Sequence, residues 1–164
     1  MRRALVLSAL FLVALPSIAV GASPNDSATG SGRVTDIFGA SSDFSFAAHS
    51  GPAGEDAKGN LNFRNTQGYT ENNGTAEVTC LLVTGNDAIA IGEWKGNDPA
   101  EWPFGPSFPF AVLFVEDNGE PSDATPDRGI AFGVTGGTCA DWYAFGNAIA
   151  QPLEQGNVVV YDAT

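Results

Sequence analysis

The sequence predicts an all-β domain: one antiparallel β-sandwich or flattened barrel of about seven to nine strands. Three observations carry this. Short segments alternate apolar and polar residues with a period of two, as in "DFSFAAH" and "GNLNFRN". Turn-forming residues separate them, with 20 glycines and 10 prolines in 164 residues. Charged residues are 16% and hydrophobic ones 43%, a balance that allows a core and argues against charge-driven disorder.

The N-terminus reads "MRRALVLSALFLVALPSIAVGAS". Arg2 and Arg3 give a positive start, Ala4 to Leu15 is apolar, and Val20-Gly21-Ala22 offers the small residues of a signal-peptidase site. Residues 1–22 are therefore expected to be a secretory signal cleaved after Ala22, leaving a secreted, extracellular domain. The apolar run is short for about 30 Å of hydrocarbon, and no second run follows, so no membrane insertion is expected after cleavage. The net charge is −12, and losing Arg2 and Arg3 makes it two units more negative. Such a chain does not neutralise phosphates, so nucleic acid is excluded as a partner class.

Residues 23–31, small and polar, are expected to be a flexible leader to a domain spanning 32–164. Phe44, Phe46 and Ala48 then mark one strand, and Leu61 and Phe63 the next, entered through a turn at Lys58-Gly59-Asn60. A hairpin follows, with Val78, Cys80 and Leu82 on one face and Ile89 and Ile91 on one face of its partner. Gly85-Asn86-Asp87 supplies the turn between them. Lys95 to Pro109 is a proline-rich loop. Phe110, Val112 and Phe114 share a face, and Ile130, Phe132 and Val134 point inward. Cys139 to Gln155 is ambiguous: Trp142, Phe145 and Ile149 fit one face of a short helix, but Gly146 weakens it. The final strand puts Val158 and Val160 in and Val159 and Tyr161 out.

Cys80 and Cys139 are an even pair in a chain read as exported, so a disulfide is expected. By chain entropy it would add roughly 4 kcal/mol, an upper-range figure.

Several phrases occur in an order that resembles a known family: "GSGRVTDIFG", "FSFAAHSGPAGEDAKGNLNF", "VTCLLVTGNDAIAIG", "FVEDNGEPSDATPDRGIAF" and "GNVVVYDA". Together they resemble the post-COAP domain-like family of small bacterial exported proteins. The resemblance implies an all-β exported module with no established activity, and it brings no functional residues with it. Lys95 to Pro109 and "ADWYAFGNA" fit the pattern poorly.

No catalytic constellation is evident, and a non-enzymatic module is expected. G-x-S-x-G is absent, and His49 is the one histidine, at a strand end. Oxidised cysteines leave no zinc set. Calcium is the cofactor to weigh. Glu116, Asp117, Asn118, Glu120, Asp123 and Asp127 gather many oxygens in one loop, although not at EF-hand spacing. The same loop also reads as a solvated hairpin turn, which the turn signal Asn118-Gly119 favours. Trp94, Trp102 and Trp142 offer either a sugar-stacking platform or caps on the core. The partner classes that fit are an extracellular glycan or protein. Sequons stand at Asn25 and Asn73.

Overall fold

A computed structural model describes residues 25–67, 73–96, 98–120 and 125–163. The expected signal over 1–22 lies outside them, as does Asp123. Among the described residues nine strands run in chain order: β1 (Asp26–Thr35), β2 (Ser41–Ser50), β3 (Lys58–Gln67), β4 (Asn73–Thr84), β5 (Asp87–Lys95), β6 (Phe110–Glu116), β7 (Arg128–Val134), β8 (Gln151–Pro152) and β9 (Gln155–Tyr161). A short 3-10 turn, Pro99–Glu101, interrupts the proline-rich loop, and one helix, α1 (Cys139–Ile149), precedes β8.

All strands belong to one antiparallel sheet, ordered β8-β7-β6-β5-β4-β3-β2-β1-β9. The architecture is the flattened-barrel form of the expectation: a single sheet curled into a half-barrel. Its topology shows why it must curl. β8 and β9 are consecutive in the chain yet occupy opposite edges of the sheet. Only Leu153 and Glu154 connect them, and the three residue steps from Pro152 to Gln155 reach about 10 Å at most. The two edges are therefore neighbours. Leu153 N–H donates to Asp127 O on one edge, and Glu154 N–H donates to Arg33 O on the other.

The seam between those edges is sewn by side chains. Asp127 Oδ2 accepts from Val158 N–H at 2.8 Å, and Asp127 Oδ1 accepts from Asn118 N–H at 2.8 Å. Asp117 Oδ2 accepts from Val160 N–H at 3.0 Å, and Asp117 Oδ1 accepts from Gly119 N–H at 2.9 Å. Two carboxylates thus satisfy alternate N–H groups of an edge strand whose other side pairs with β1.

Three local expectations are corrected. Residues 26–31 are not a leader: they form the first part of β1, paired on both sides, because Ala28 contributes to the core and Gly30 lets Val158 approach closely. Lys58-Gly59-Asn60 is already strand, and the turn lies before it. The third concerns β4. Val78 pairs Gly92 and Cys80 pairs Ile91, so Thr79 is an extra, bulged residue. A bulge reverses the parity of all that follows. Leu81 and Val83 therefore join Ala76 and Val78 on the inner face, while Cys80 and Leu82 turn outward.

That outward turn matters because the sheet is buried on both faces. Inside the curl, Phe44, Phe46, Leu61, Leu113 and Val158 form one core. On the outer face of β5, β6 and β7, Ile89, Ile91, Val112, Phe114 and Ile130 form a second, covered by α1. Ile130, Phe132 and Val134, expected to point inward, thus lie on the helix-covered face instead. The inner positions of the same strands include the small residues Ala88, Ala90, Ala111 and Ala131 beside Trp94, Leu113 and Val115.

The helix resolves the ambiguous segment. Thr138 caps it, and Asp141 reciprocates in a capping box. Its Gly146 is there for proximity: a Cβ at that position would lie 2.9 Å from Phe114 Cβ. Gly146→Ala is accordingly expected to lower stability by about 1 kcal/mol, overpacking outweighing the gain in helix propensity. Thermal unfolding checks it, and a rise in Tm would show the helix is free to move off β6. Cys80 and Cys139 are bonded, joining β4 to the first turn of α1 with Cα atoms 6.0 Å apart.

Tyr143 of α1 donates to Asp87 Oδ2 at 2.5 Å, at the start of β5. Burial first, and this hydrogen bond second, push its phenol up to about 12. A raised acid favours the neutral form in the folded state. Its contribution is complete below the usual tyrosine value and is lost as pH rises past that toward the folded value. Phenolate absorbance against pH should show one late step, absent in Tyr143→Phe; unchanged curves would count against this docking contact.

Candidate functional site

The expected site residues do not converge. Trp94 is buried, with Nε1–H donating to Phe108 O at 2.9 Å and its ring packed against Phe63 and Phe104. It is a core residue, which corrects its place in an exposed platform: a strand end closed by the proline-rich loop leaves it no solvent. Trp102 is partly buried against the same inner core. Trp142 stands on the other face of the sheet, on α1, with Nε1–H donating to Gly136 O at 2.9 Å. It forms edge-on contacts with Phe132 and Phe145, and Phe145 is 48% exposed.

The acidic loop is organised around protein donors. Glu116 pairs with Arg128, whose Nη2 also donates to Asn147 O and Ala150 O at the end of α1. Asp117 and Asp127 hold the seam, and Asn118 Nδ2 donates to Pro126 O at 3.0 Å. Glu120 is exposed. Among the described residues no group of three or more His, Cys, Asp or Glu is placed to hold a metal ion. His49 is exposed on β2, opposite Lys58 of β3, at a hollow that Glu55 and Asp56 also line. Ser50 beside it keeps its hydroxyl buried. Asn25 and Asn73 are both exposed. Among the described residues no helix is long and apolar enough to cross a membrane.

A different surface has the geometry of a site. An open groove of about 730 Å³ runs across the outer face of β2, β3 and β4 to the end of β5. The antiparallel register builds it in two rows. In the first, Ser45, Asn62, Thr75 and Lys95 stand side by side on successive strands. Thr75 Oγ1 donates to Asn62 Oδ1 at 2.9 Å, and Asn62 Nδ2 donates to Ser45 O at 3.4 Å. In the second row, Arg33, Asp43, Arg64 and Asn73 align. Arg33 grips Asp43 through two bonds of 2.6 and 2.8 Å, and that hydrogen bonding holds the Asp43 carboxyl below its usual range. Lys95 is paired with Glu77 beside the groove. Arg64 is exposed and takes part in none of the ion pairs among the described residues.

Sequence reasoning passed over these residues because each is unremarkable alone. The available signal was the polar half of the alternation: the outward positions of "DFSF" and "NLNFR" carry hydroxyl, amide and charged groups, not merely solubilising ones. Which of them become neighbours depends on register. Comparison with protein-family models, with curated proteins and with solved structures finds no match to this chain.

Proposed function

We propose that this chain is a secreted, non-enzymatic β module with a binding role outside the cell, and that the β2–β4 groove is its binding face. One observation carries the reading: a row of neutral donors and acceptors, Ser45, Asn62 and Thr75, is set by strand register and interlinked before any ligand arrives. Polar groups held on strands lose little freedom on binding, which favours recognition. The disulfide suits an oxidising compartment, in keeping with the apolar leader sequence and its small-residue cleavage site. The resemblance to the post-COAP domain-like exported proteins points the same way.

The test is capture by the purified, oxidised domain on a panel of extracellular glycans and matrix proteins. Thr75→Trp fills the groove from an already half-exposed position and should abolish capture with Tm unchanged. Capture indifferent to that substitution would remove the groove from the reading. Reproducible turnover in a broad hydrolase screen would overturn the non-enzymatic part.

The Phe132–Trp142–Phe145 cluster, in which Phe145 is exposed and the other two rings are partly buried, favours a second reading, sugar stacking on the α1 face. Glycan quenching of tryptophan fluorescence that disappears in Trp142→Phe and survives Thr75→Trp would select it.

A further inference from the structure

We infer that the groove across β2–β4 takes a carboxylate-bearing polysaccharide, its acid group seated on Arg64 and its hydroxyls along the Ser45–Asn62–Thr75 row; this rests on the groove being the binding face. The argument begins with where this anionic protein keeps its cations. Arg33, Lys58, Arg64, Lys95 and Arg128 are the basic side chains of the described residues. Arg64 and Lys95 line the groove directly, and Arg33 reaches it through Asp43.

Pairing then separates their roles. Arg33 neutralises Asp43, the acid of the groove lining, and Glu77 neutralises Lys95. What remains is the guanidinium of Arg64, between Asp43 on β2 and Asn73 on β4. A guanidinium presents a planar fork of donors that matches a carboxylate with two parallel bonds. Asp43 lies opposite Arg64 and attracts it too, but both Asp43 oxygens already accept hydrogen bonds from Arg33.

The neighbouring row selects the rest of the ligand. Amides and hydroxyls offer both donors and acceptors, the complement of sugar hydroxyls. From β2 to β5 the groove crosses three strand spacings, about 14 Å, which suits an extended polymer better than a single small anion. One cation outside the ion pairs among the described residues, beside neutral groups, also argues for sparse charge. A phosphate polymer would bring a negative charge at every unit to a protein of net charge −12.

Calorimetry on the oxidised domain with hyaluronan and with highly but not fully methyl-esterified pectin, in both of which neutral units separate the carboxylates, tests this. Two controls accompany them: fully methyl-esterified polygalacturonate, which keeps the backbone and loses the charge, and inorganic polyphosphate, which keeps only charge. Binding to at least one carboxylated polymer is expected, weaker with added salt, and reduced roughly ten-fold or more in Arg64→Gln. Lys58→Gln, remote from the groove, should bind as the parent does, and circular dichroism should show all variants folded.

Equal binding of the esterified polymer would overturn the acidic class while leaving the groove reading intact, provided Thr75→Trp still abolishes it. Equal binding of polyphosphate would reduce the site to charge alone and overturn the inference. No binding to either carboxylated polymer, or binding untouched by Arg64→Gln, would overturn it as well. Capture of some other ligand that Thr75→Trp blocks would then show that only the ligand class had failed.

Discussion

Replacing Asp127 by alanine is expected to destabilise the domain by about 2–5 kcal/mol, more than any other single carboxylate removal. The residue is 7% exposed, and each of its oxygens accepts a backbone N–H. Val158 N–H is buried, so truncation leaves it facing neither water nor an acceptor. An unsatisfied buried donor costs roughly 1–3 kcal/mol, and Asn118 N–H is orphaned at the same time. Asp117→Ala should cost less, about 1 kcal/mol, since of its two partners Gly119 N–H is exposed and Val160 N–H only part-buried, so both can turn to water. Asp127→Asn should fall between, because the amide keeps one acceptor oxygen and turns a donor toward the second N–H. Urea unfolding gives the three values. Hydrogen exchange at Val158 should accelerate in Asp127→Ala before global unfolding. A loss below 1 kcal/mol with Val158 still protected would mean that the seam is held by other contacts.

The second large effect concerns the crosslink. Changing both Cys80 and Cys139 to alanine is expected to cost up to roughly 4 kcal/mol by chain entropy, for a sequence separation of 59. The loss should appear first as loosening of α1, because the bond ties the helix's first residue to β4. The bulge supplies a sharper companion. Since Thr79 is the extra residue, deleting it leaves Val78 inward and Cys80 outward in plain alternation. The deletion should therefore still form the Cys80–Cys139 bond, seen as absent free thiol by mass spectrometry. Free thiols in the deletion variant would show that the local twist of the bulge, rather than parity alone, aims Cys80 at the helix. Intact protein unfolding no later than the double alanine variant would show that the crosslink adds nothing.

Period-two alternation in "DFSFAAH" and "GNLNFRN", and turn chemistry at Gly85-Asn86, are local properties, so strands β2, β3, β4 and β5 were legible without coordinates. The cysteine pair was legible for the same reason: two positions and a compartment suffice to expect one bond. "FAVLFVE" held a further clue, since a strand apolar at every core position has no face left for water and implies a cover. The cover turned out to be α1, and the face that Phe110, Val112 and Phe114 share is the one beneath it.

Local pattern stops where a residue's meaning depends on a distant partner. Whether Cys80 looks in or out is decided by one bulged residue in a ladder of pairs. Whether Asp117 and Asp127 belong to a loop or to a seam is decided by β9 arriving from the far edge of the sheet. Arg64 stands outside the ion pairs among the described residues because register places Asp43 between it and Arg33, which takes both Asp43 oxygens. Alternation is a short-range steric consequence of the pleat, whereas curling, parity and charge pairing follow from contacts between residues tens of positions apart. Those contacts are chosen by the closure of the sheet as a whole.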